Sequence, residues 1–163
     1  MADAIRVRAA TDEDWPGIWG ALEPVLRAGE TYTYPTDISE SDARAAWTAG
    51  ARVLVAVDAE EVLGTARYLP NHPGAGAHVA NASFVVAPGA ERAGVGRALA
   101  HAVLDAARTD GYRAMQFNAV VETNERAIRL WTSLGFTVLA TVPEAFDHPR
   151  HGLVGLHIMH RAL

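Results

Sequence analysis

Cysteine is absent from this chain, and so is lysine: all 14 basic residues among its 163 are Arg. Without Cys there is no disulfide staple, no thiolate nucleophile and no thiolate metal site. No apolar run is long enough to cross a bilayer, and Met1-Ala2-Asp3-Ala4-Ile5-Arg6 lacks the charged-then-apolar order of a leader. The chain is therefore expected in the cytoplasm, away from membranes. A basic excess is missing too, since the net charge is −5, which argues against a nucleic-acid partner. Seven His are present, but His148, His151, His157 and His160 show no helical i, i+4 pair, and no metal site is expected. Two phosphate-binding patterns also fail. Gly-x4-Gly-Lys-Ser/Thr does not occur, and the residue three after Gly96 is Leu99 where a dinucleotide loop needs Gly. A dinucleotide fold would also place its glycines after the first strand.

What is present suits one domain, expected over 1–163, with half its residues hydrophobic. Apolar periodicity and turn signals predict strands over 5–8, 52–57, 62–69, 78–86, 114–121, 136–142 and 154–159. Helices are predicted over 11–27, from 39 to Gly50, over 94–109 and over 124–134. The order is that of an α/β protein with a mixed sheet. The most informative stretch is Val85-Val86-Ala87-Pro88-Gly89-Ala90-Glu91-Arg92-Ala93-Gly94-Val95-Gly96-Arg97-Ala98-Leu99. A strand ends, a Pro/Gly turn follows, and a Gly-x-Gly step opens an amphipathic helix. Such a helix mouth has first-turn N–H groups without partners, and its dipole favours an anion. With Arg92 and Arg97 beside it, the segment is predicted to hold the pyrophosphate of a cofactor.

This motif resembles the Arg/Gln-x-x-Gly-x-Gly/Ala signature of the GNAT family of acyl-CoA-dependent N-acetyltransferases, with Glu91 at the leading basic position. A second stretch, Asn124-Glu125-Arg126-Ala127-Ile128-Arg129-Leu130-Trp131-Thr132-Ser133-Leu134-Gly135-Phe136, is similar to the family's Asn-x-x-Ala…Tyr-x-x-x-Gly-Phe helix. The resemblance covers essentially the whole chain. It implies a mostly antiparallel sheet, flanked by helices, whose central strands splay. Acetyl-CoA would enter between them, mimicking a strand along Phe84, Val85 and Val86. Its pyrophosphate would meet Arg92, Ala93, Gly94, Val95, Gly96 and Arg97, and Asn124, Ala127 and Trp131 would contact it from the next helix. A homodimer through sheet edges or terminal strands is implied as well, and the apolar 153–159 stretch suits one.

The resemblance also implies acceptor residues. The family's usual Tyr acid is matched by Trp131, whose indole donates a hydrogen bond but supplies no proton usefully. The fourth-strand position where many relatives carry a Glu base falls near Asn81, with His78 and Ser83 as its polar neighbours. Glu30 and Glu122 are the carboxylates expected nearest the cleft mouth, with Glu30 and Asn81 as catalytic candidates. Asn81-Ala82-Ser83-Phe84 and Gln116-Phe117-Asn118 resemble the subgroup containing yeast azetidine-2-carboxylate acetyltransferase, in which matching Asn residues face the acceptor. Asn81 and Asn118 could then hold the carboxylate of a proline-like or other amino acid. Equally, Asn118 could satisfy backbone groups where the strands part. Tyr32 and Tyr34 are expected to wall the acceptor. The implied function is acetyl transfer to a small amine. A protein or peptide acetyltransferase and a silent acyl-CoA sensor are the alternatives.

Overall fold

The computed structural model describes residues 5–91 and 94–163, so Arg92 and Ala93 lie outside the described residues. In chain order the elements are β1 (Arg6–Ala9), α1 (Trp15–Ala28), α2 (Glu40–Thr48), β2 (Arg52–Asp58), β3 (Glu61–Pro70), β4 (Val79–Val86), α3 (Val95–Thr109), β5 (Ala114–Val121), α4 (Glu125–Ser133), β6 (Thr137–His148) and β7 (Gly152–Ala162). They build one seven-stranded sheet ordered β1-β2-β3-β4-β5-β7-β6. Every pairing is antiparallel except β4 with β5. The mixed, mostly antiparallel sheet expected from the sequence is thus the architecture found.

Local chemistry places the helices. Asp14 ends a short 3-10 turn, accepts from the Thr11 N–H at 2.7 Å, and is gripped by both Arg8 terminal nitrogens at 2.7 and 2.8 Å. That charge-assisted pair holds the Asp14 carboxyl down at about 2 and pins the start of α1 to β1. Gly29, at φ 64°, stops α1 in the left-handed conformation that a residue without Cβ adopts freely. Trp47 of α2 then packs with Val55, Val57 and Val85 on one face of the sheet. On the other face, α3 buries Val95, Leu99, Val103 and Leu104. Each such side chain contributes roughly 1.5–3 kcal/mol on leaving water. The close approach of α3 depends on Gly64 of β3. A Cβ there would meet the Val85 carbonyl oxygen at 2.8 Å and Val95 Cγ1 at 2.9 Å.

The last hairpin is longer than its sequence suggests. The strands predicted over 136–142 and 154–159 are found as Thr137–His148 and Gly152–Ala162. Pro143 suggests a strand end, yet β6 is the outer strand of the sheet, where a missing N–H costs no ladder bond. The register instead shifts between Val142 and Phe146, with Glu144 at φ 51° absorbing the bulge. This edge leaves Val138, Leu139, Val142 and Leu153 well exposed. No helix among the described residues is long and apolar enough to cross a membrane.

Candidate active site

The central parallel pair is the source of the site. β4 and β5 pair only at Val79–Ala114 and Ala80–Met115, and the strands then part. From Asn81 onward the β4 edge that faces β5 has no strand partner. The gap opens a cleft of about 900 Å³. The amide of Asn81 bridges the point of parting, donating from Nδ2 to the Gln116 carbonyl oxygen at 3.0 Å. Further up the edge, the Tyr32 hydroxyl accepts from the Phe84 N–H at 3.1 Å and donates to the Phe84 C=O at 2.6 Å. A side chain thereby occupies both backbone groups of Phe84 that a neighbouring strand would take. Burial pushes the Tyr32 hydroxyl well above the usual phenol range, so it stays protonated at neutral pH.

One end of the cleft is a helix mouth. Gly94 takes φ 78° at the N-cap of α3, a conformation that favours glycine. The first helical bond runs from the Ala98 N–H to the Gly94 C=O, leaving the N–H groups of Val95, Gly96 and Arg97 without helical partners. Gly96 lines the cleft, and a Cβ there would meet only Leu130 Cδ2 and Val86 Cγ2, both at an ordinary 3.6 Å. Packing therefore does not demand glycine at 96, whereas close approach of a ligand backbone or phosphate would. Arg97, Arg126 and Arg129 line the same end. Arg97 bonds Ser133 at 3.1 Å and ties α3 to α4, and Arg129 pairs with Glu125 at 3.4 Å. Glu91, at the position where the resemblance expects a base, folds its carboxylate back onto the Gly89 N–H at 2.8 Å.

The sequence-predicted residues largely converge. Phe84, Val85, Val86, Gly94, Gly96 and Arg97 line the cleft, and Asn124, Ala127 and Trp131 join them from α4. Asn124 also caps that helix, accepting from the Ala127 N–H. Trp131 is buried in an aromatic cluster, with ring centroids 4.8 Å from Phe84 and 4.7 Å from Phe117. The Val95 side chain lies in the α3 core at 0% exposure, so only its backbone can serve a ligand.

At the other end Tyr32, Tyr34, Asn81 and Asn118 line the cleft. The Asn118 amide donates to Asn71 Oδ1 at 2.7 Å and accepts from Gln116 Nε2 at 3.0 Å, so one of its two N–H donors is engaged with the segment after β3. Glu30 does not line the cleft. It forms an ion pair at 3.1 Å with Arg150, in the turn between β6 and β7. Glu122 accepts from the Gly155 N–H at 2.6 Å. Arg67 of β3, which sequence reasoning passed over, lines the cleft beside Tyr34. The sequence offers only a weak signal for it, a charged residue between Ala66 and Tyr68 in the interior of the predicted 62–69 strand. Among the described residues no group of three or more His, Asp or Glu could hold a metal ion.

Comparison with known proteins agrees with this geometry. Residues 19–136 match the profile of the Acetyltransferase (GNAT) family. The chain is 54% identical to the GCN5-related N-acetyltransferase from Kribbella flavida, with 98% of each chain covered and a TM-score of 0.94. It is 26% identical to yncA of Salmonella typhimurium, solved with its cofactor acetyl-CoA, covering 99% of this chain and 95% of that one at a TM-score of 0.85. It is also 39% identical over 84 residues to N-acetyltransferase aca1 of Schizosaccharomyces pombe, a match spanning 52% of this chain but only 40% of that protein. With a parted β4–β5 pair, a Gly-x-Gly helix mouth and a family match over most of its length, the chain belongs to the GNAT acetyltransferase family.

Proposed function

We propose that this chain transfers the acetyl group of acetyl-CoA to the amine of a small molecule. The observation that carries the reading is the unpaired β4 edge running from Asn81 to the mouth of α3. An extended, amide-containing chain can bond that edge as a strand would, while its phosphates meet the α3 N-terminus. The residues present fit acetyl-CoA: Gly96 leaves room for close approach, and Arg97, Arg126 and Arg129 supply positive charge.

When bound, acetyl-CoA would supply an activated thioester, from which a neutral amine would displace CoA thiolate, the C–N bond forming as the C–S bond breaks and the amine's extra proton leaving. The protein's part is positioning and electrostatics. A backbone N–H on the parted edge can stabilise negative charge on the carbonyl oxygen; that of Phe84 can do so only once the Tyr32 hydroxyl gives it up. Asn81, its Nδ2 spent on Gln116, can offer Oδ1 to an amine N–H. Glu91 is the one carboxylate lining the cleft among the described residues, and it is held by the Gly89 turn at the helix-mouth end. Proton removal therefore falls to solvent, which suits an amine already partly neutral.

Steady-state CoA release from acetyl-CoA across a panel of small amines and free N-terminal peptides tests this. Small amines are expected to raise release above the rate of acetyl-CoA hydrolysis. Turnover confined to peptides, or tight acetyl-CoA binding with no acceptor turned over, would overturn it. We also infer a homodimer through the exposed apolar edge of β6 and the β6–β7 turn. Light scattering at micromolar protein should give about twice the 17.4 kDa chain mass, and a monomer mass would refute the pairing.

A further inference from the structure

Arg67 is placed unusually for a basic residue. It lies in the middle of β3, opposite Ser83 of β4, with Asn81 two residues along opposite Leu69. Directly opposed residues share a face, so Arg67, Ser83 and Asn81 form a polar strip on the side of the sheet covered by α1 and α2. The guanidinium is half-buried, lies over the Trp47 ring with its carbon 5.5 Å from the centroid, donates from Nη1 to the Ala46 carbonyl, and donates from Nη2 to the Tyr34 hydroxyl at 3.3 Å. Those two bonds use two of its five N–H donors.

Among the described residues it forms no salt bridge, and its Nε is the single buried side-chain polar atom without a hydrogen-bond partner. A partly desolvated cation with no counter-ion is costly, and a fixed fork of N–H donors matches a carboxylate. Arg8 shows the settled alternative in the same molecule, with Asp14 on both terminal nitrogens. Arg67, by contrast, faces a cleft. The amides of Asn81 and Asn118 each already spend one N–H within the protein, so the charged donor group at this end is Arg67.

We propose that Arg67 binds an anionic group of the acceptor, which makes the acceptor a small amine bearing a carboxylate. The assignment rests on the acetyl-transfer reading. The carboxylate meets the guanidinium beside the Tyr34 hydroxyl, and the amine is left beside Asn81 Oδ1 near the parted edge. Arg67 is thus a specificity residue on β3.

Matched acceptor pairs provide the test: an amino acid and its carboxamide, which share the amine and differ only in the charge. Wild type is expected to prefer the acid by tenfold or more in kcat/KM. In Arg67→Met the acid should lose roughly 10- to 150-fold more than the amide, chiefly through KM, with acetyl-CoA affinity by calorimetry reporting an intact donor end. Arg67→Lys should recover part of the preference, because it keeps the charge without the fork. Equal losses for acid and amide would show that Arg67 only pins α2 through Ala46 and Trp47, and would overturn the proposal. So would a wild type indifferent to the carboxylate, a result that needs no variant to fold. A wild type that acetylates neither member of any pair defeats the acetyl-transfer reading instead.

Discussion

The donor end of the cleft offers mainly backbone, the N–H groups of Val95, Gly96 and Arg97 and the free edge of β4, while the acceptor end offers side chains. Tyr32 and Tyr34 come from the segment between α1 and α2, Arg67 from β3, and Asn81 from β4. A backbone site needs only that the chain turn in the right place and leave room, which glycine does. It can serve any ligand with a pyrophosphate and an extended amide chain. A side-chain site depends on which residues happen to meet there, and it is the part that distinguishes one amine from another. The same cleft thus combines a general half with a specific half.

The largest expected effect breaks the donor half alone. Gly96→Val places a branched side chain where the α3 mouth must receive phosphate. The native packing has room for its Cβ, with Leu130 and Val86 at 3.6 Å, and Val is a better helix former than Gly, so the fold should tolerate the change. Acetyl-CoA affinity by calorimetry should fall by about 100-fold or more, the equivalent of two lost charge-assisted hydrogen bonds. A variant that melts like wild type and still binds acetyl-CoA normally would remove the helix mouth from the site. The Arg67 series is the counterpart at the other end, where the acceptor should suffer and the donor should not.

The two halves were also unequally legible in the sequence. Gly94, Gly96 and the Asn124–Phe136 stretch are local patterns, each readable within one turn and one helix, and they line the cleft or cap its helices. The apolar stripe of Val95, Leu99 and Val103 is itself enough to place α3, and all three are buried. Arg67 was not legible because its burial is set by Trp47 and Tyr34, which reach it from other elements. Nor was the pairing of Glu30 with Arg150, which joins the end of α1 to the last hairpin and removes a candidate base. The Asn81 and Asn118 side chains were noticed, but their partners Gln116 and Asn71 are fixed only by where the strands part. The extent of β6 beyond residue 142 was not legible either, because it depends on the bulge between Val142 and Phe146 against β7.

Tyr32 belongs to both halves, and a smaller effect there sharpens the boundary between them. Its ring stacks on Tyr34 with centroids 6.1 Å apart and meets Trp47 edge-on at 6.3 Å, so it is held as part of the acceptor wall. Its hydroxyl nevertheless lies on the donor edge, satisfying both backbone groups of Phe84. An acyl-pantetheine chain that bonds Phe84 must displace that hydroxyl, and the lost bonds subtract from its affinity. Tyr32→Phe keeps the ring packing and removes the competitor. Acetyl-CoA should then bind about 2- to 10-fold more tightly, the range expected for one net hydrogen bond of about 0.5–1.5 kcal/mol. Because burial keeps this phenol protonated, the gain should be the same across neutral and mildly alkaline pH. Calorimetric titration of both proteins with acetyl-CoA decides the point. Weaker binding in Tyr32→Phe would mean that the hydroxyl stays in place and bonds the ligand, making Tyr32 a donor-site residue as well as the wall of the acceptor pocket.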